Sequence, residues 1–213
     1  MSYHDSRLIF DAKRQTVWDA LWRYHFRGVV PLDGCVLDLG SGYGDFINAV
    51  EARRRIALDQ WDEFPTYLQP GVESVVAPVT DLSAIEDKSV DFAFASNLFE
   101  HVSQSDFALA LNALGAKLTG RGTLTILQPN WRYAYREYFD DYTHVSVYSH
   151  ISLADFLRAN GWDVLEVRPR FLPLTVKSRL PVWPALIGLY LKSPFKPLGK
   201  QMLVTARPNG RRS

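Results

Sequence analysis

The sequence has little cysteine and no long apolar run, and both absences limit the class of protein that it can be. Cys35 is the only cysteine in 213 residues, so no intrachain disulfide can form, and a cytoplasmic setting is favoured. No apolar run reaches the roughly 20 residues that a membrane-spanning helix needs. The first residues contain an early acid and no apolar core, so no secretion signal is visible. We therefore expect a cytoplasmic protein.

Acidic residues are also absent after Glu166, although ten basic residues follow it. The last 47 residues therefore carry a formal charge of +10, and the first 166 carry −9. A net charge of +1 hides this division. Such an uneven distribution indicates an anionic partner for the C-terminal part.

Apolar, strand-like runs alternate with helical patterns along the chain, which is typical of a parallel α/β sheet in one domain. The predicted strands are 35–40, 55–59, 72–78, 90–96, 123–129, 162–169 and 201–207. The predicted helices are 6–26, 44–53, 105–118, 153–160 and a short one near 182–191. Ser152 and Asp155 have the spacing of a capping box, which predicts the start of the fourth helix, and Gly161 predicts its end.

The segment between the last two predicted strands is too long for a hairpin turn. Residues 171–200 contain five of the twelve prolines and an apolar stretch with basic residues at both ends. This composition fits peripheral membrane contact, a lid over an anionic substrate, or a dimer face. We expect an insertion with its own function in a single domain of residues 1–213.

A glycine loop follows the first predicted strand, in the segment VLDLGSGYGDF at 36–46. Glycines allow the backbone to adopt positive φ and to approach a ligand closely. Dinucleotide sites prefer the spacing G-x-G-x-x-G, whereas this loop has G-x-G-x-G. Asp38 would repel a pyrophosphate, but it suits the ammonium group of a methionine moiety. Asp59, at the end of the next strand, can accept hydrogen bonds from both ribose hydroxyls.

The chain resembles class I S-adenosylmethionine (SAM)-dependent methyltransferases over about residues 34–168. Five segments carry the resemblance in order: VLDLGSGYGDF (36–46), ALD (57–59), PVTDL (78–82), SVDFAFASNLFEHV (89–102) and LGAKLTGRGTLTILQPN (114–130). The resemblance implies SAM as cofactor. It also implies a doubly wound, Rossmann-like sheet of seven strands, mostly parallel with the last strand antiparallel, and helices on both faces.

The family pattern assigns cofactor-binding roles to twelve residues of this sequence. The methionine end would lie on Asp38, Gly40, Ser41, Gly42 and Gly44. Asp59 would hold the ribose, and Gln60 or Trp61 would pack on the adenine, with Asp81 and Leu82 at its edge. Asn97 and Leu98 would line the floor near the sulfonium. Asp38 has an alternative role, in which its carboxylate orients the loop by accepting backbone N–H groups.

Methyl transfer depends mainly on alignment of the acceptor, so no obligatory catalytic motif is expected. The candidate catalytic residues are His101, after the fourth strand, and His144, in the aromatic segment 130–150 after the fifth. His144 would act as a base or orient the acceptor. His101 has an alternative role as the cap of the next helix. No histidine–carboxylate spacing along the chain resembles a metal site, so no metal is predicted.

The acceptor is not identified by any motif. The loop after the fourth strand lacks the Asn/Asp-Pro-Pro-aromatic pattern of adenine-N6 and glutamine methyltransferases, which makes a nucleic-acid acceptor less favoured. A small-molecule, glycan or lipid-linked acceptor is expected. The alternatives are a non-catalytic SAM-binding protein and a nucleic-acid methyltransferase, the latter supported only by the basic C-terminal part.

Overall fold

A computed structural model describes residues 12–173 and 183–210. Its strands form one sheet in the order β3-β2-β1-β4-β5-β7-β6. Strands β1 to β5 are parallel, and β7 is antiparallel to both of its neighbours. This topology confirms the predicted seven-stranded sheet. The strands are β1 Cys35–Leu39, β2 Arg54–Asp59, β3 Val72–Val76, β4 Val90–Ser96, β5 Leu118–Pro129, β6 Trp162–Pro173 and β7 Gly199–Pro208.

Six α-helices fall within the described ranges. They are α1 Ala12–Tyr24, α2 Asp45–Ala49, α3 Gln104–Lys117, α4 Trp131–Ala134, α5 His150–Ala159 and α6 Pro184–Lys192. The start of the predicted helix 6–26 and residue 182 of the last one lie outside the described residues. The predicted helix 44–53 is too long, because Val50 adopts an extended conformation immediately after α2.

The predicted capping box of α5 is wrong by three residues. Ser149 is the N-cap, its side chain accepts from the Ser152 backbone, and the Ser152 hydroxyl accepts from the Ser149 N–H. Asp155 instead pairs with Arg158 on the exposed surface. The segment before α5 offers several capping serines, so sequence spacing alone selected the wrong one.

Helices cover both faces of the sheet. On one face, Phe107, Leu111 and Leu114 of α3 pack with Leu153 and Leu157 of α5. On the other face, α1 and α2 bury Leu21, Trp22, Phe46 and Ile47 against the sheet. The interior strand β1 is buried along its whole length, as expected for a parallel strand covered on both sides.

The antiparallel direction of β7 determines where the insertion lies. The carboxyl ends of parallel strands form the edge where doubly wound folds bind ligands. Gln201, near the start of β7, pairs with Pro129 at the end of β5 and with Leu172 near the end of β6. The chain therefore leaves and re-enters the sheet at this ligand-binding edge, and the insertion begins and ends there.

Candidate active site

The glycine loop between β1 and α2 has the backbone conformation that only glycine adopts easily. Gly40, Gly42 and Gly44 have φ values of 66°, 52° and 71°. A side chain would cost about 1–2 kcal/mol at each such position. A Cβ on Gly40 would also lie 2.7 Å from the Leu98 Cδ1. The loop thus keeps an unobstructed backbone facing the carboxyl edge, as a close-fitting ligand requires.

Asp38 lies beneath this loop with its carboxylate buried. Its Oδ2 accepts a hydrogen bond of 2.8 Å from the Ser41 hydroxyl, and only 3% of the residue is exposed. Burial raises the pKa of Asp38 to about 8. Its hydrogen-bond donors are neutral groups, and a buried carboxylate without a cationic partner is under-compensated. It is therefore well placed to receive a cation such as an ammonium group.

The raised pKa of Asp38 predicts how stability without cofactor depends on pH. Between about pH 4 and about 8 the folded protein keeps a proton that the unfolded chain releases. The free energy of unfolding therefore falls as pH rises through this window. Asp38→Asn removes the ionisation, so its stability relative to wild type should increase from pH 4 to 8. Urea unfolding across this range tests it, and a pH-independent difference would contradict the assignment.

Asp59, at the end of β2, closes the other side of the loop. Its Oδ2 accepts from the Gly42 N–H at 2.8 Å and its Oδ1 from the Trp61 N–H at 2.9 Å. A carboxylate has about four acceptor positions, so each oxygen can accept a further hydrogen bond. The carboxylate therefore holds the glycine loop and still offers two acceptors to a ligand diol.

An aromatic cluster stands beside this carboxylate. The Trp61 and Tyr67 rings are stacked with their centroids 5.3 Å apart, and the Tyr43 ring contacts both of them edge-on. Gln60 is exposed and Trp61 is half-buried. Tyr43 and Tyr67 were not predicted, although Tyr43 lies within the glycine loop itself. The cluster provides a flat apolar wall at the position predicted for the adenine.

Asp81 and Leu82 differ sharply in their surroundings. Asp81 is exposed and accepts from the Ser83 N–H at 3.0 Å. Hydrogen bonding by the Ser83 side chain, and then by its backbone N–H, holds the pKa of Asp81 below the usual value. Leu82 is buried in the core under β2 and β4. The Asp81 carboxylate can therefore contact the edge of an adenine, whereas Leu82 can offer only its backbone groups.

Asn97 and Leu98 follow β4 and lie next to the glycine loop. Asn97 has a left-handed φ of 49°, and its Oδ1 accepts from the Gln201 amide at 2.8 Å. Leu98 is half-buried over Gly40. Gln201 was missed by the sequence analysis, because its distance of 104 residues along the chain gives no local signal.

The two candidate histidines come together from the loops that follow β4 and β5. The rings of His101 and His144 have centroids 4.7 Å apart. The His101 Nδ1 hydrogen-bonds the Thr143 hydroxyl at 2.9 Å, and Thr143 in turn donates to Asp141. Burial lowers the pKa of both histidines, so the neutral imidazoles are favoured.

Glu100 completes this group and was not predicted as a site residue. It is fully buried, and burial raises its pKa to about 8. Its backbone carbonyl accepts from the N–H groups of Val145 and Ser146, which fastens the loop carrying His144. One oxygen or nitrogen each of Glu100, His101 and His144 lie within 4.8 Å of one another. The sequence argument against a metal considered only spacing along the chain and could not detect such a cluster.

A family model described as a methyltransferase domain matches residues 10–167, about three quarters of the chain. The chain belongs to this methyltransferase domain family. Membership and fold together confirm the predicted class I SAM-dependent methyltransferase, and so an enzyme. Comparison with curated protein sequences gives no significant match.

Solved structures share the fold of this methyltransferase at low sequence identity. A chain of the Haloferax volcanii complex between the Trm112 activator and a putative methyltransferase has a TM-score of 0.69 at 17% identity, covering 93% of this chain and 95% of that one. A SAM-dependent methyltransferase from Archaeoglobus fulgidus has a TM-score of 0.64 at 21% identity, covering 91% of this chain and 93% of that one. A third structure is the Burkholderia thailandensis 1,6-didemethyltoxoflavin-N1-methyltransferase with S-adenosylhomocysteine bound. It has a TM-score of 0.62 at 20% identity, covering 98% of this chain and 84% of that one.

Proposed function

We propose that this methyltransferase binds SAM on the glycine loop and methylates a lipid-linked acceptor at a membrane surface. The observation that carries the cofactor assignment is the β1–α2 loop itself. Three glycines with positive φ, the buried Asp38 carboxylate and the Asp59 carboxylate converge at the ligand-binding edge. A cation, a diol and a close backbone approach are the chemical needs of SAM, and this set supplies all three.

The roles of the cofactor residues follow from these positions. Asp38 and Ser41, with the loop backbone at Gly40, Gly42 and Gly44, hold the methionine end. Asp59 accepts the ribose hydroxyls. The adenine lies against Trp61, with Gln60, Asp81 and the Leu82 backbone at its rim. Asn97 and Leu98 form the floor beneath the sulfonium.

The reaction requires alignment more than acid–base chemistry. SAM when bound supplies an electrophilic methyl group, and in-line attack by the acceptor releases S-adenosylhomocysteine. Holding the acceptor in line can contribute roughly 7–11 kcal/mol. Leu98 over Gly40 excludes water from the floor, and we assign His101 and His144 as the residues that orient the acceptor from the neighbouring loop.

The acceptor class is inferred from the surface around α6. Gly188 of α6 fits closely on the Tyr24 ring of α1, while the other side of the helix is exposed. We call the exposed apolar side chains here the apolar patch: Trp183, Leu186, Leu189, Phe195 and Leu198. Within the described ranges, no helix is long and apolar enough to cross a bilayer.

Leu198 supports a functional role for this patch. It has a left-handed φ of 57° and is 77% exposed. Such a conformation costs about 1–2 kcal/mol for a residue with a Cβ, yet the side chain contributes nothing to the core. Leu198 directly precedes β7 and therefore stands at the ligand-binding edge.

The surplus of basic residues complements an anionic surface. Apolar side chains that enter the interface together with nearby lysines and arginines are typical of peripheral membrane contact. Because the insertion within 171–200 begins and ends at the edge that holds the cofactor loop, membrane contact would bring lipid-linked acceptors directly to the histidines. A cytoplasmic protein with such a face can act on membrane substrates without a membrane-spanning helix.

Replacing Leu189 by glutamate should weaken binding to anionic vesicles at least about tenfold, because it places a charge where burial into the interface is needed. Co-sedimentation with phosphatidylglycerol vesicles at low salt measures this. Leu109→Glu is the matched control, since Leu109 is similarly exposed on α3, away from the patch. If the wild type does not sediment with these vesicles, or if both variants behave alike, the membrane assignment fails.

The acceptor itself is tested by incubation of methyl-labelled SAM with lipid, glycan and quinone fractions of the source cell. Label in a lipid fraction supports the proposal, and label only in a water-soluble or nucleic-acid product contradicts it. A protein that binds SAM and labels no fraction would instead be a non-catalytic SAM-binding protein.

A further inference from the structure

We propose that Glu100, His101 and His144 bind a divalent transition-metal ion, with Zn²⁺ as the best match. The metal binding stands on the geometry of this cluster alone. A second part, that the ion is the group through which the two histidines orient the acceptor, rests on the proposed function. The proposal departs from the sequence-based expectation of no metal.

Glu100 is the first observation in its favour. The residue is 0% exposed, and neither of its carboxylate oxygens has a hydrogen-bond partner in the described part of the chain. Buried carboxylates are normally paired with cations or coordinate metals, because an isolated charge there is strongly unfavourable. No lysine or arginine of the described residues forms an ion pair with Glu100 within 4.0 Å. A cation is therefore the partner that this carboxylate lacks.

His144 is the second, independent observation. Its Nδ1 is buried and has no hydrogen-bond partner among the described residues. The ring lies against the Tyr138 ring, with centroids 4.6 Å apart, and this contact holds its position. A neutral imidazole has one protonated nitrogen and one nitrogen that accepts. With its proton on Nε2, the unpartnered Nδ1 is available to an ion as a lone-pair donor.

His101 is held in a comparable way. Its Nδ1 lies 2.9 Å from the Thr143 hydroxyl and 3.3 Å from the Thr143 carbonyl. Thr143 is itself fixed by Asp141, whose Oδ1 accepts from both its N–H and its hydroxyl. Such outer partners orient a ligand imidazole and increase its basicity. In the proposed site His101 would offer one ring nitrogen to the ion.

The spacing of the three ligand atoms suits one ion after a small adjustment. They lie within 4.8 Å of one another, so an ion at the centre of such a triangle would be about 2.8 Å from each atom. Zinc bonds to nitrogen and oxygen measure about 2.0–2.2 Å, so each side chain has to move by less than about 1 Å. Both histidines are only partly buried, which leaves a fourth position accessible to an acceptor oxygen.

The ligand set indicates which ion is preferred. Two imidazole nitrogens and one carboxylate oxygen favour zinc and neighbouring transition metals, whereas magnesium and calcium prefer all-oxygen sites. Three protein ligands with an open position are the pattern of catalytic zinc sites, where the ion polarises a bound oxygen. An acceptor hydroxyl bound there would be both oriented and made more acidic.

Calorimetric titration of the purified, metal-free protein with Zn²⁺ and separately with Mg²⁺ tests the proposal. We expect one Zn²⁺ per chain and much weaker Mg²⁺ binding. Glu100→Gln and His144→Asn each remove one ligand and should weaken Zn²⁺ binding at least about 100-fold. Glu137→Gln, in the adjacent loop, and His150→Asn, at the start of α5, are matched controls, and they should change the affinity by no more than about twofold.

Failure of the metal site can be distinguished from failure of the proposed function. Absence of Zn²⁺ binding by wild type, or unchanged binding by both ligand variants, overturns the metal site. Circular dichroism establishes that the variants are folded; if Glu100→Gln is not, His144→Asn decides alone. A parallel titration with S-adenosylhomocysteine reports on the cofactor site, so Zn²⁺ binding without it would preserve the metal site and contradict the proposed function.

Discussion

Replacing Asp59 by alanine is expected to reduce the affinity for SAM by at least about 100-fold. Each hydrogen bond to a charged carboxylate contributes about 1.5–3 kcal/mol, and the proposed ribose contacts use two. The same substitution removes the acceptors of the Gly42 and Trp61 N–H groups, so the glycine loop also loses its support. Isothermal titration of wild type and variant with SAM measures the change.

Two further variants separate ligand contact from loop support. Asp62→Ala changes an exposed acid three residues away and should leave the SAM affinity unchanged. Asp59→Asn keeps one oxygen acceptor and should lie between wild type and alanine. If Asp59→Ala binds SAM as wild type does while remaining folded, Asp59 is not part of the cofactor site.

Replacing Gly40 by alanine is expected to damage both stability and cofactor binding. The positive φ costs about 1–2 kcal/mol for alanine, and the new methyl group would lie 2.7 Å from the Leu98 Cδ1. Leu98 has to move from its place in the proposed sulfonium floor, so the SAM affinity should fall at least about tenfold. Urea unfolding and titration with SAM measure the two effects.

The Gly40 prediction has an internal control. Gly120→Ala introduces the same methyl group in open space and should alter neither quantity appreciably. Adding Leu98→Ala to Gly40→Ala removes the steric conflict, so the double variant should be less unstable than the two single changes added together. Strict additivity would show that Leu98 and Gly40 are not coupled.

The positions of the strands and of the glycine loop could be predicted from the sequence because both depend on local patterns, whereas the arrangement of the sheet came from the family resemblance. Buried runs such as 90–96 have no helical period, and the three glycines follow a strand directly. These features hold whatever the remainder of the chain does. Asp38 and Asp59 sit at the ends of adjacent parallel strands, so their convergence follows from the topology once β1 and β2 are recognised.

The cluster on the acceptor side could not be predicted, because it depends on contacts between distant segments. Glu100 and His144 are 44 residues apart, and the loop that carries His144 is fastened to the Glu100 carbonyl through backbone hydrogen bonds. A fully buried acid has no distinctive sequence pattern when it stands among apolar residues. The pairing of Asn97 with Gln201 has the same origin.

The start of α5 shows a different limit. Ser149 and Ser152 both have the chemistry of an N-cap, and the choice between them depends on where the preceding loop is held. Residues before α5 are fixed by the Trp131 N–H, which donates to the Tyr148 carbonyl. Local spacing could identify the capping motif but not its register.

The central claim, that this methyltransferase uses SAM, is tested most directly by titration of the wild-type protein with S-adenosylhomocysteine and, in parallel, with NAD⁺. The geometry of the glycine loop, with Asp38 beneath it and Asp59 beside it, predicts one S-adenosylhomocysteine bound per chain and no NAD⁺ binding. Binding of NAD⁺ in its place, or failure of S-adenosylhomocysteine and SAM to bind at all, would contradict the assignment.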